Sequence, residues 1–76
     1  MPRSLSTIAR EIIADWASMP RYAAPYVGAM RELHSISDNY YYDTGRSVVL
    51  YFLSNARSWR GDTARRIKAE LKDMLK

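Results

Sequence analysis

Apolar residues return at helical spacing in four separate stretches of this chain, and that pattern narrows its folds more than any other feature. Leu5, Ile8, Ile12, Trp16 and Met19 follow one another at steps of three, four, four and three, which sets them on one stripe of an α-helix. Ala9 and Ile13 widen the stripe. Ser4 or Ser6 is placed to cap its start and Pro20 cannot continue it, so the spacing predicts a helix over 5–19. Pro25 suits the first position of a second helix, where its missing N–H has no partner to lose. Tyr26, Met30 and Leu33 then share a face. Ser35, Ser37, Asp38 and Asn39 carry side chains that compete with helical backbone bonds, so this helix is expected over 25–34, with a loop through Tyr40, Tyr41 and Tyr42.

Asp43 or Thr44 is suited to cap a third helix, in which Val48, Val49, Phe52, Leu53, Ala56 and Trp59 fall on one arc. The run 48–53 alone also fits a buried strand. Its continuation to Ala56 and Trp59 favours a helix over 44–59, the expected centre of packing. Gly61 is a helix-closing residue and Asp62 or Thr63 a cap, after which Ala64, Ile67, Leu71, Met74 and Leu75 define a fourth helix over 62–75. The expected fold is all-α: a compact bundle of four short helices in a single domain, 1–76.

Seventy-six residues, 47% of them hydrophobic, suffice for one core, a chain of this size burying only about 60% of its unfolded surface. No cysteine is present, so the core has no disulfide to help it, and thiolate metal sites and cysteine nucleophiles are excluded. The longest apolar run, 48–53, is far short of the about 20 residues that cross a bilayer. The first residues lack the apolar stretch of a secretory signal. The expectation is a chain without membrane contact, in the cytoplasm.

The net charge of +4 is unevenly placed. Residues 1–56 hold five cations and five anions, whereas 57–76 hold Arg57, Arg60, Arg65, Arg66, Lys68, Lys72 and Lys76 against Asp62, Glu70 and Asp73. Arg66 stands four residues from both Asp62 and Glu70 and is expected to pair with them along the helix. Arg65, Lys68, Lys72 and Lys76 line one flank with only Asp73 near enough to answer them, and Arg57 and Arg60 extend the row across the turn. Such a row suits phosphates or an acidic protein surface; its plainer reading is a solvated face that keeps the chain soluble. Two helices separated by a turn containing Gly61 also invite the helix-turn-helix comparison, in which Thr63, Arg65 and Arg66 would face bases, although no Asn or Gln follows Asn55.

Six tyrosines in 76 residues are a surplus. Three in succession cannot all face one core, so at least one of Tyr40, Tyr41 and Tyr42 is expected at the surface, where its ring serves a protein interface or stacks on bases. The bland alternative is that they close one end of the bundle. Ser47, Tyr51, Ser54 and Ser58 form a hydroxyl stripe opposite the core of the third helix, fit for a second copy of the chain in a homodimer, or simply solvent-exposed. His34 is the single histidine and reads as a surface residue, with no metal site and no cofactor implied. Three separated glycines make no phosphate loop. Catalysis is not expected of a bundle this small.

Ile8-Ala9-Arg10, Asp15-Trp16, Pro25-Tyr26, Ala29-Met30, the run 51–56, Trp59-Arg60-Gly61 and the run 64–68 together resemble small proteins encoded by bacteriophages and integrated prophages. The likeness extends over most of the chain and brings no established activity or site residue with it. It implies a context in which compact proteins block host defence complexes, CRISPR nucleases among them, or regulate transcription. The resulting expectation is a non-enzymatic, phage-type binding protein docking on a host protein or nucleoprotein complex as an anti-defence inhibitor, through Arg57, Arg60, Arg65, Lys68, Lys72 and Lys76 and the tyrosine loop. The rivals are a small basic regulator that contacts nucleic acid directly and a sponge for signalling nucleotides.

Overall fold

The structure, a computed structural model, describes residues 3–76. Four helices and one short hairpin follow in the order α1 (Leu5–Asp15), α2 (Ala24–Met30), β1 (Asn39–Tyr40), β2 (Asp43–Thr44), α3 (Gly45–Ser54) and α4 (Asp62–Met74). The four-helix expectation holds in outline. The strictly all-α one does not, because the tyrosine loop is an antiparallel hairpin that pairs Asn39 with Thr44 and Tyr40 with Asp43.

Each of the first three helices ends earlier than its apolar spacing suggests, for a local reason. α1 is capped by the Ser4 hydroxyl, which accepts the Thr7 N–H. It stops at Trp16 rather than Met19. Pro20 biases the residue before it toward extended backbone, and Trp16 leaves helical geometry (φ −102°, ψ 72°). α2 has Pro25 in its first turn and no side-chain cap. Beyond Met30 it tightens into three-residue turns, because the Leu33 and His34 carbonyls accept the Ser6 and Leu5 N–H groups that open α1. The Asp38 carboxylate accepts the His34 and Ser35 N–H groups at 2.9 and 3.2 Å, so residue 34 is drawn into the following loop. These two bonds also hold the Asp38 carboxyl below its ordinary value.

α3 begins at the Thr44 cap, whose hydroxyl accepts the Ser47 N–H. It ends at Asn55, not Trp59: Asn55 leaves helical geometry (φ −107°, ψ 10°), and the Ala56 and Trp59 N–H groups donate three residues back, to the Leu53 and Ala56 carbonyls, rather than four. Ala56 and Trp59 still reach the core, from turns rather than from the helix. α4 starts one residue after Gly61, which is the N-cap at φ 114° and ψ 178°, a region open essentially to glycine. Neither Asp62 nor Thr63 caps it.

The core joins the apolar faces of all four helices: Leu5, Ile8 and Ile12 of α1, Val27 and Met30 of α2, Val49 and Phe52 of α3, and Ile67 and Leu71 of α4 are fully buried. Trp16 and Trp59 stack at 5.6 Å with Phe52 edge-on to both, and the Trp59 indole N–H donates to Asp15 at 2.9 Å. No buried side-chain polar atom among the described residues lacks a hydrogen-bond partner.

Candidate functional site

The turn after α3 carries Trp59 inward and leaves its backbone carbonyl facing α4. Lys68, two turns into α4, reaches back to donate to that carbonyl at 2.6 Å, with its ammonium 6.0 Å from the indole centre. This draws one flank of α4 over the corner. Trp59, Arg60, Gly61, Ala64, Arg65 and Lys68 line an open groove of about 290 Å³ there. Partial burial lowers the Lys68 ammonium below its ordinary value, and repulsion from Lys72 and Arg60 adds to that. The neighbouring carboxylate that reaches the groove is Asp62, 3.5 Å from Arg65 with both side chains largely in solvent, an arrangement worth a few tenths of a kcal/mol. The groove stays cationic.

Of the six cations expected to act together, the fold thus brings Arg60, Arg65 and Lys68 to one groove. Lys72 lies exposed one turn further along. Lys76 is answered by Asp73 at 3.4 Å, as the spacing implies, though both are exposed. Arg57 is exposed in the α3–α4 turn and takes no part in the groove lining.

The anticipated pairing of Arg66 with Asp62 and Glu70 is replaced by contacts between elements. Arg66 meets Glu11 of α1. Glu70 takes Arg3 in a two-pronged contact at 2.7 and 3.0 Å, and Arg3 also donates to Glu11 at 2.8 Å. The bonds from Arg3 and then Arg66 hold the Glu11 carboxyl below its ordinary value, and those to Glu70 and then Glu11 raise the Arg3 guanidinium. Sequence reasoning missed this clasp because Arg3 and Glu70 are 67 positions apart. It also missed Lys68's carbonyl partner, since Trp59 was legible only as a core residue.

Tyr40 is partly buried against the core, whereas Tyr41 and Tyr42 stand out at the hairpin tip. Arg46 donates to the Leu75 carbonyl at 2.7 Å, tying the start of α3, and the hairpin just before it, to the C-terminal end of α4. The thirteen residues of α4 span about 20 Å. The cationic groove and the tyrosine tip therefore lie toward opposite ends of that helix. Of the hydroxyl stripe expected along α3, Ser47 pairs with the Thr44 cap, Ser54 bonds Leu50, and the Tyr51 ring packs 5.7 Å from Tyr26 while staying half exposed; Ser58 lies exposed beyond the helix end.

His34 is exposed, and no group of three potential ligands among the described residues is placed to hold a metal ion. Among the described residues no helix is long and apolar enough to cross a membrane. Seven residues, 55–61, separate α3 from α4, and α4 packs chiefly against α1; a helix-turn-helix unit joins its two helices by about three or four residues. No protein-family model, curated protein or solved structure matches the chain.

Proposed function

We propose that this chain is a non-enzymatic binding protein of the phage type, which presents the groove formed by Arg60, Arg65 and Lys68 to an acidic surface of a host macromolecular complex and blocks it as an anti-defence inhibitor. One observation carries the reading: three cations converge on one groove while the nearest carboxylate, Asp62, reaches only Arg65, and weakly. Elsewhere Arg3 and Arg66 are answered by Glu11 and Glu70, so this fold builds charge pairs where it uses them for packing. The motif resemblance supplies the phage context.

The same cations would meet a nucleic-acid backbone, and salt separates the two readings. Direct phosphate contact predicts steep weakening on a random duplex between about 50 and 200 mM salt. The long α3–α4 connection offers no support for base readout by a helix-turn-helix. A small nucleotide held jointly by tyrosine and arginine is disfavoured by the length of α4 between groove and tip.

The test compares Arg60→Glu/Arg65→Glu with Arg10→Glu/Arg21→Glu, which changes net charge equally at exposed sites elsewhere, in quantitative capture of partners from host extract. The groove pair is expected to lose the partner at least about tenfold and the control pair to keep it. Equal loss in both would reduce the effect to bulk charge.

A further inference from the structure

Two features outside the cationic groove are complementary to one another. The first is a knob. Tyr41 sits at φ 56°, a backbone region that bulky residues rarely enter and that hairpin turns ordinarily give to glycine or asparagine. The tip accepts that cost while leaving Tyr41 84% exposed and Tyr42 fully exposed. Tyr41 is braced edge-on by Tyr40 at 4.8 Å. Asp43 follows, exposed and without an ion-pair partner among the described residues. The Asp38 carboxylate adds a second anion at the hairpin base, and the Arg46 guanidinium, three residues beyond Asp43, donates to the Leu75 carbonyl.

The second feature is a groove of about 330 Å³ between the end of α1 and the length of α2, built from Ile13, Trp16, Met19, Val27, Gly28 and Arg31. That size falls at the lower end of the about 300–1,000 Å³ typical of binding pockets. A methyl group built on Gly28 would meet nothing within 4 Å, and Ile13 is 42% exposed, so the groove stands open and apolar. Arg31 lies at its rim, exposed and without an ion-pair partner among the described residues. Tyr42, fully exposed, does not fill its own molecule's groove.

We infer that the knob of one copy seats in the groove of a second copy of this chain, the Tyr42 ring entering beside Gly28 and Asp43 pairing with Arg31. The occupant follows from charge and shape together: an aromatic tip with an anion at its side meets an apolar groove with a cation at its rim, and both halves are present on every copy. This self-association is separate from the proposed docking through Arg60, Arg65 and Lys68 and uses none of those three residues.

Sedimentation velocity on the full chain in about 150 mM salt, from about 10 to about 500 μM, reads it directly, since a contact this small belongs to the weak, concentration-dependent class. The wild-type average mass is expected to rise at least about twofold over that range. Arg31→Asp, Asp43→Arg, Tyr42→Ala and Gly28→Trp should each keep helical circular dichroism and remain monomeric, and the double swap Arg31→Asp/Asp43→Arg should recover the association. A wild type that stays monomeric throughout, single variants that associate as it does, or a double swap that fails to recover would each overturn the inference.

Discussion

Gly28 and Gly45 show how one substitution takes opposite signs at two positions. A methyl group on Gly45 would stand 2.5 Å from the Ser35 carbonyl oxygen and 2.8 Å from the Ile36 Cα, both backbone atoms, held there because Gly45 and Arg46 donate to the Asp38 and Ile36 carbonyls. Gly45→Ala is expected to destabilise the fold by about 1–3 kcal/mol, lowering Tm by roughly 4–8 °C for each kcal/mol in a domain of this size. At Gly28 a methyl group meets nothing and the helix gains a better former, so Gly28→Ala should stabilise by about 0.5–1 kcal/mol. Parallel thermal melts check both. Gly61 is constrained by conformation alone: nothing crowds it, yet its positive φ makes Gly61→Ala cost about 1–3 kcal/mol. A Gly61→Ala melt indistinguishable from wild type would contradict the cap geometry at the start of α4.

At the scale of elements, the clasp of Arg3 and Arg66 on Glu11 and Glu70 joins the chain's start and α1 to α4. Its pH dependence follows from the lowered Glu11 carboxyl, to which the lowered Asp38 carboxyl adds. A carboxyl whose folded value is depressed binds fewer protons in the native state than in the unfolded one, so its contribution is complete above the ordinary carboxylate range and is lost as pH falls through the folded value. Stability should hold from neutral pH down to about 5 and decline below about 4. Glu11→Gln should flatten that decline and lower Tm at neutral pH. Identical acid profiles for the two proteins would show that the clasp carries no folding energy.

Element type was legible where the signal was local. The stripe Leu5, Ile8, Ile12 states its helix through spacing alone, whereas the run 48–53 by itself fits a strand as well, and Ala56 and Trp59, whose spacing favours a helix, lie beyond the end of α3; Ser4 and Thr44 are each one of two residues suited to the cap they form. Helix ends were less legible because remote groups set them: α2 stops where the start of α1 and Asp38 take up its following backbone. The hairpin was hidden for a sharper reason. Its turn residues, Tyr41-Tyr42, are the reverse of ordinary hairpin chemistry, and the close packing of Gly45 on Ser35 and Ile36 supports it from outside the turn. Among the candidate site residues, the row on α4 was visible as charge, and so was the Asp73 that answers Lys76, but the gathering of Arg60, Arg65 and Lys68 into one groove depends on where Trp59 turns its carbonyl.

Across the whole molecule, charge is arranged by use. Carboxylates on α1 and α4 answer the arginines that hold the two helices together, while the corner after α3 gathers Arg60, Arg65 and Lys68 with little opposition. Lys68 is the member tied to the fold, through the Trp59 carbonyl, so Lys68→Ala should reduce partner binding by about three- to tenfold with a small loss of stability, whereas Arg60→Ala should reduce binding alone. Binding titrations beside thermal melts distinguish these outcomes. The most direct measurement of the central claim is partner affinity for the wild type, Arg60→Glu/Arg65→Glu and Arg10→Glu/Arg21→Glu at one fixed ionic strength. A loss of at least about tenfold confined to the groove pair is the predicted result; affinity unchanged in the groove pair, or reduced equally in both, would contradict the account.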